Sequence, residues 1–323
     1  MSNLSYLDAG RVALQQEMRR DPLVWALGED LGRGGVFGQY KGLAEEFGPK
    51  RILDTPISES AIMGTAVGAA LVGTRPVVEL RFSDFALCAV DELVNQAAKA
   101  RYMFGGQGRV PLVVRQPIGM WRSSAAQHSQ SLEAWYAHIP GLVVVTPATP
   151  ADNFGLLRSA IRCDDPVVYM EHKDLWAATG EIDLTADPLP LGKARRVQAG
   201  DDVTLVTWSG MLRQAEGAAE LLGGTPSIDL IDLRTLYPWD REAVFSSVRR
   251  TGRLLVVHEA VQVGGFGSEV AATIAEELFD CLRAPVRRLG APRIPIPYSP
   301  PLEAVCRITP AQIAGAVRDL MSR

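Results

Sequence analysis

The chain has 323 residues, 47% hydrophobic and 22% charged, with a formal net charge of −4. That length suits two domains of ordinary globular composition, and the mild acidity offers no basic face for nucleic acid. No apolar run approaches the roughly 18 residues of a membrane span, and Met1 to Asp8 lack the basic-then-apolar pattern of a secretory signal, so a cytoplasmic location with no membrane partner is expected. In chain order, short β-rich runs flanked by Gly or Pro predict strands at Val24–Leu27, Ile52–Leu53, Val77–Phe82, Leu112–Arg115, Leu142–Val145 and Val167–Met170. Longer segments with helical patterning lie between them at Ser60–Val72, Phe85–Met103 and Ala151–Arg162. The aperiodic, Pro- and Asp-bearing stretch Ala177–Pro190 reads as a linker. A second series follows: strands at Val203–Trp208, Ile228–Ile231 and Leu254–Val257, helices at Met211–Leu222, Gly267–Phe279 and Ala311–Leu320. Alternating strands and helices imply an α/β fold with two mostly parallel sheets flanked by helices. The expected division is residues 1–180, a linker at 181–191, and residues 192–323.

Several common signatures are missing. Neither a GxxxxGK[ST] phosphate loop nor a GxSxG nucleophile elbow is present. Gly264-Gly265-Phe266-Gly267 precedes a helix without completing a dinucleotide fingerprint, and reads as close packing or a tight turn. Cys88, Cys163, Cys281 and Cys306 are too far apart for a zinc knuckle or redox pair and read as small buried thiols.

The most informative stretch is Asp54-Thr55-Pro56-Ile57-Ser58-Glu59-Ser60, which joins a strand to a helix. The next thirteen residues, Ala61 to Gly73, carry no charge, which predicts a buried helix of small residues. Glu59 stands at its N-terminal end, beside the carboxyl edge of a parallel sheet, where α/β proteins place ligands. From spacing alone, a carboxylate favoured by the helix dipole explains Glu59 as well.

Arg51-Ile52-Leu53-Asp54-Thr55-Pro56-Ile57-Ser58-Glu59 closely resembles the DTPISE signature of β subunits of pyruvate, branched-chain 2-oxo acid and acetoin dehydrogenases. Further pieces match that family in order: Gly28-Glu29-Asp30, Ala125-Ala126-Gln127-His128-Ser129-Gln130, Pro140-Gly141-Leu142-Val143-Val144-Val145 and Leu233-Arg234-Thr235-Leu236-Tyr237-Pro238. The resemblance covers nearly the whole chain. It implies a thiamine-diphosphate pyrimidine-binding domain followed by a transketolase C-terminal-like domain. It also implies an α subunit that holds the diphosphate and Mg²⁺ in an α₂β₂ assembly. The GDG motif that carries Mg²⁺ elsewhere in the family is absent here, as a β subunit should show; Gly200-Asp201-Asp202 only echoes it.

By the same resemblance, Glu59 is the acid beside N1′ of the aminopyrimidine, Phe85 stacks on that ring, Glu29 lies near its edge, and His128 orients reacting groups or the incoming lipoyl group. A potassium ion on main-chain oxygens is implied near Leu112, Ala160, Cys163 and Asp165. His138 and His172 match no such role, and His258 is expected to pack or to line an interface. The reaction implied is oxidative decarboxylation of a 2-oxo acid, with the acyl group passed to a lipoyl acyltransferase. One departure stands out: Met120-Trp121-Arg122 is bulky where the family favours small residues, which predicts a reshaped substrate entrance. It also keeps open transfer of a two-carbon ketol or acyl unit to a carrier protein or aldehyde. A non-catalytic subunit is the third reading, opposed by the joint presence of Glu59, Phe85 and His128.

Overall fold

The computed structural model describes residues 1–322. The chain forms two compact units, Met1–Ile118 with Trp135–Leu191, and Gly119–Ala134 with the chain from Gly192 onward. The stretch Gly119–Ala134 precedes the linker in sequence yet packs with the second unit.

In the first unit, β1 (Ser2–Ser5) leads into α1 (Tyr6–Arg20), capped by the Ser5 hydroxyl, which accepts from the Asp8 amide. There follow β2 (Val24–Gly28), α2 (Leu43–Phe47), β3 (Ile52–Asp54), α3 (Glu59–Leu71) and β4 (Arg75–Glu79). The single helix expected over Phe85–Met103 is three pieces: a 3₁₀ turn at Phe85–Ala89, a π-helical stretch at Asp91–Ala97, and α4 (Ala98–Met103). Hydrophobic periodicity cannot register the wider i→i+5 turn. There the Asn95 and Gln96 amides both donate to the Asp91 carboxylate, at 2.8 and 3.3 Å. The unit continues with β5 (Val113–Ile118), α5 (Glu133–Ala137) from Trp135 onward, β6 (Val143–Val145), α6 (Pro150–Arg162), β7 (Val167–His172) and β8 (Thr179–Ile182). β8 corrects the linker reading: its residues pair antiparallel with β1, a partner about 180 residues away that local sequence cannot reveal.

Six strands run parallel in the order β6-β7-β5-β4-β2-β3. Their cores are Val- and Ile-rich because helices cover the sheet faces. α1 and α6 pack together on this sheet, and Ala13, Leu14, Phe154, Leu157 and Ile161 join the core beneath them. α3 is not buried all round, as its lack of charge suggested. Ile62, Met63, Ala66, Val67 and Ala70 face inward, while Ala61, Gly64, Thr65, Gly68 and Leu71 are exposed on this chain.

The second unit contains β9 (Arg195–Gln198), β10 (Val203–Thr207), α7 (Met211–Leu222), β11 (Ile228–Asp232), β12 (Thr235–Tyr237), α8 (Arg241–Thr251) and β13 (Leu254–Val261). It ends with α9 (Gly267–Glu277), β14 (Arg287–Ala291), α10 (Pro300–Cys306) and α11 (Pro310–Met321). Its sheet order is β14-β13-β10-β11-β9, parallel except for β9. α11 opens with a Thr309–Gln312 capping box and a proline in its first turn, which fixes where it starts.

Candidate active site

The first sheet changes winding direction at β2. The chain passes from β2 to β3 on one side, then returns to β4 on the other. In open α/β sheets such a switch point leaves a crevice beyond the carboxyl ends of the strands. Gly28 pairs with both Asp54 and Glu79, so β2, β3 and β4 end at one level. The loops leaving them carry Glu29, Glu59 and Phe85. These residues are far apart in sequence, and parallel pairing brings the loops that carry them to one sheet edge.

The local backbone explains each placement. Gly28 passes so close to β4 that a Cβ there would lie 2.5 Å from the Glu79 carbonyl oxygen. The Thr55 amide extends the pairing by donating to the Gly28 carbonyl at 3.0 Å. Asp54 then accepts from the Gly32 amide at 2.8 Å, which ties the β2 loop to the end of β3. Glu59 is the first residue of α3, half-buried, and its Ser58 cap makes no side-chain hydrogen bond to the helix. The turn bearing Phe85 packs on α3. Phe85 is half-buried and meets Phe82 edge-on, with ring centroids 5.4 Å apart. Phe37, 6.2 Å from Phe82, stands in turn against Trp176 at 4.4 Å.

The Glu29 side chain is largely buried, and burial raises its titration above the ordinary carboxylate value. The Arg81 guanidinium, 3.0 Å from Glu29 Oε2, opposes that shift, while the Glu59 carboxylate reinforces it. Glu59 and Glu29 therefore share one electrostatic environment. Arg81 also pairs with Asp30. Sequence reasoning missed Arg81; the available signal was a lone cation two residues beyond a strand end in an otherwise acidic and aromatic loop. Beneath the crevice, Arg115 binds Glu171 through Nε at 2.8 Å and Nη2 at 3.0 Å, and reaches Glu79 at 3.4 Å. Tyr40 and Gln39 donate to Glu79, which burial pushes up to about 7. This network links the ends of β4, β5 and β7.

His128 belongs to the second unit, at the end of a 3₁₀ turn over Ala126–His128, and is half-buried. A cavity of roughly 480 Å³ lies in that unit, lined by Met120, Gln127, Ser129, Gln130, Glu259 and Ile296, among others. Met120 is 1% exposed and packs with Ile296 and Cys306. Met120 thus forms part of that cavity's wall while its unbranched thioether packs into the core behind it. Arg122 is exposed, its guanidinium 4.8 Å from the Trp121 ring centroid. Of the suggested potassium ligands, the Leu112 carbonyl accepts from the Val167 amide at 2.8 Å and the Ala160 carbonyl from the Cys163 amide at 3.2 Å. The Cys163 carbonyl accepts from Arg75 Nη1 at 3.0 Å, and Asp165 pairs through its side chain with Arg101. An added cation would share the Cys163 carbonyl with the Arg75 guanidinium.

The transketolase pyrimidine-binding domain matches residues 2–178, and the transketolase C-terminal domain matches residues 192–313. The chain is 44% identical over 324 residues to the 2-oxoisovalerate dehydrogenase subunit beta of Bacillus subtilis, across 99% of both proteins. The chain belongs to the 2-oxo acid and acetoin dehydrogenase β-subunit family. It is also 45% identical to the acetoin:2,6-dichlorophenolindophenol oxidoreductase subunit beta of Cupriavidus necator, over 96% of this chain and 95% of that one. Identity to the pyruvate dehydrogenase E1 component subunit beta of Rickettsia bellii is 42%, over 97% of each. The same fold recurs in a split-gene transketolase described as an inactive β4 tetramer, with a TM-score of 0.82, 23% identity and 99% coverage of both chains. No helix among the described residues is long and apolar enough to cross a membrane.

Proposed function

We propose that this β subunit supplies the pyrimidine side of a thiamine-diphosphate site and works with an α subunit that holds the diphosphate and Mg²⁺. The observation that carries this reading is that the loops bearing Glu29, Glu59 and Phe85 leave three level, adjacent strands at the switch point of the first sheet. An aminopyrimidine needs a carboxyl group at its ring nitrogen and an apolar face to stack on. Glu59 and the half-exposed Phe85 ring fit those two needs. When bound, thiamine diphosphate supplies a thiazolium carbon that adds to the substrate carbonyl.

The chain's own residues divide the remaining work. Glu59 holds a proton beside the pyrimidine nitrogen. Arg81 holds Glu29 in place, and Glu29 sets the polarity at the ring edge. His128 orients the reacting groups or the acceptor. The exposed face of α3, continuous with Leu71, Met103 and Phe104, offers apolar surface of the kind a partner subunit covers. An α₂β₂ assembly, a 2-oxo acid or acetoin as substrate, and acyl transfer to a lipoyl acyltransferase complete the proposal. The potassium site is part of it only through main-chain oxygens. Ketol transfer to a carrier or aldehyde is the second reading, favoured by the bulk of Met120 in the wall of the cavity near His128.

The test is Glu59→Gln, co-expressed with an α subunit. The variant should assemble and bind the cofactor, because glutamine is nearly isosteric at a helix start. Exchange of the thiazolium hydrogen with deuterated solvent should slow by at least about a hundredfold, the lower range of general acid–base effects. Near-normal exchange with a lowered melting temperature would reduce Glu59 to a helix-dipole partner worth about 0.3–1 kcal/mol.

A further inference from the structure

The second sheet has a switch point of its own. β10 is followed by β11 on one side and flanked by β13 on the other. The carboxyl edge of such a strand pair is where α/β folds keep ligands. Here the edge carries Trp208 just beyond β10 and Glu259 near the end of β13, and the chain binds its own segment Gly119–Ala134 there.

Two buried hydrogen bonds hold that segment. At its start the Met120 amide donates to Glu259 Oε1 at 2.7 Å. At its end Trp208 Nε1–H donates to Glu133 Oε1 at 3.1 Å. Both carboxylates are buried. The Trp208 ring is itself fixed, stacked on His258 with centroids 5.4 Å apart and planes 18° from parallel, and met edge-on by Phe266 at 5.9 Å. His258 in turn is boxed by Gly265, Gly267 and Gly290, where an added Cβ would come within 2.4, 2.8 and 2.8 Å of the ring. Because a carbonyl oxygen only accepts, the His258 Nδ1 hydrogen bond to the Ala260 carbonyl at 3.0 Å puts the proton on Nδ1.

Between the two anchors the backbone is strained. Arg122, Ser123 and Ala125 have φ of +47°, +56° and +65°, and no glycine stands between Met120 and Leu132. Such conformations persist where the surroundings over-determine them. His128 lies three residues after the last of these.

We propose that Glu259 and the Trp208–Glu133 pair are positioning residues, which clamp the two ends of a strained loop and thereby fix where His128 stands. They act through the loop backbone. The inference rests on reading His128 as a participant in the reaction.

The experiment compares Trp208→Phe, Glu259→Ala, Glu259→Gln and His128→Ala, and the double variant Trp208→Phe/His128→Ala, each assembled with the α subunit. Trp208→Phe keeps an aromatic ring on His258, deletes the donor, and gives up some buried ring volume. Glu259→Gln keeps an oxygen that can accept from Met120. Trp208→Phe and Glu259→Ala should speed amide hydrogen exchange in peptides covering 119–134 by about tenfold, the size of one hydrogen bond. The rest of the second unit should keep its protection. They should lower kcat by about 10- to 100-fold, the scale of a small misplacement, while Glu259→Gln stays close to the parent. Trp208→Phe should cost little more once His128 is alanine, because residues acting as a unit are non-additive. If Glu259→Ala does not fold, Trp208→Phe carries the test. Unchanged amide exchange in 119–134, or kcat losses that multiply with His128→Ala, would overturn the proposal. An unchanged kcat in His128→Ala would instead sink the reading of His128 and the functional half of the proposal, with amide exchange still reporting on the clamp.

Discussion

Ala125 adopts φ +65° and ψ −168°, a region that essentially only glycine populates. Holding a residue with a Cβ there costs about 1–3 kcal/mol. Glycine would remove that strain but adds about 0.5–1 kcal/mol of unfolded-chain entropy. Ala125→Gly should therefore stabilise the second unit by about 1 kcal/mol net, which is unusual for an alanine-to-glycine change. For a unit of roughly 150 residues the melting temperature should rise by about 2–4 °C. Ala126 supplies the control, because it lies in the adjoining 3₁₀ turn and is not among the positive-φ residues. Ala126→Gly should cost about 0.5–1 kcal/mol. Urea denaturation followed by circular dichroism, at one fixed protein concentration, measures both. Two neighbouring alanines should thus move stability in opposite directions. If both lower it, the strain argument for the 119–134 loop is wrong.

His258 is held down to about 4 by burial, against an ordinary value of 6.5. A depressed histidine binds protons more readily when unfolded, so its contribution is full above about 6.5 and lost as pH falls toward 4, on the order of 3 kcal/mol in all. The urea midpoint should drop across that window, and His258→Gln should flatten the drop; an unchanged slope would refute it. Glu79 has the opposite sign: raised to about 7 from 4.5, it contributes stability at low pH that is lost as pH rises through 7. Glu79→Gln should therefore gain on the parent as pH increases from 5 to 8, measured by the same titration; a gap that stays constant with pH would count against it. Gly265→Ala should destabilise by about 1–3 kcal/mol through overpacking, since its Cβ would meet His258 Cε1 at 2.4 Å and the Val261 carbonyl at 2.7 Å. Calorimetry showing no loss would mean that the box around His258 is loose.

The sequence by itself determined the family, the α/β class and the helix start that presents Glu59. These are local facts: strand-then-helix patterning, an Asp-Thr-Pro-Ile-Ser-Glu turn, and a run of small residues whose shape follows from neighbours in the chain. It also marked Glu29 and Phe85, by resemblance rather than by any visible reason for them to meet. Tertiary structure decided that the loops carrying them leave one sheet edge, because β2, β3 and β4 are adjacent, parallel and level, and pairing partners lie tens of residues away. Only tertiary structure could show that Arg81 pairs with Glu29, that Thr179–Ile182 joins β1, and that Met120 is core. It alone put the loop carrying His128 with the second unit. The Glu259 and Trp208 anchors are 139 and 75 residues from the groups they hold. No period or local motif encodes such a distance, since a hydrogen bond depends on where folding brings two atoms and not on their separation along the chain.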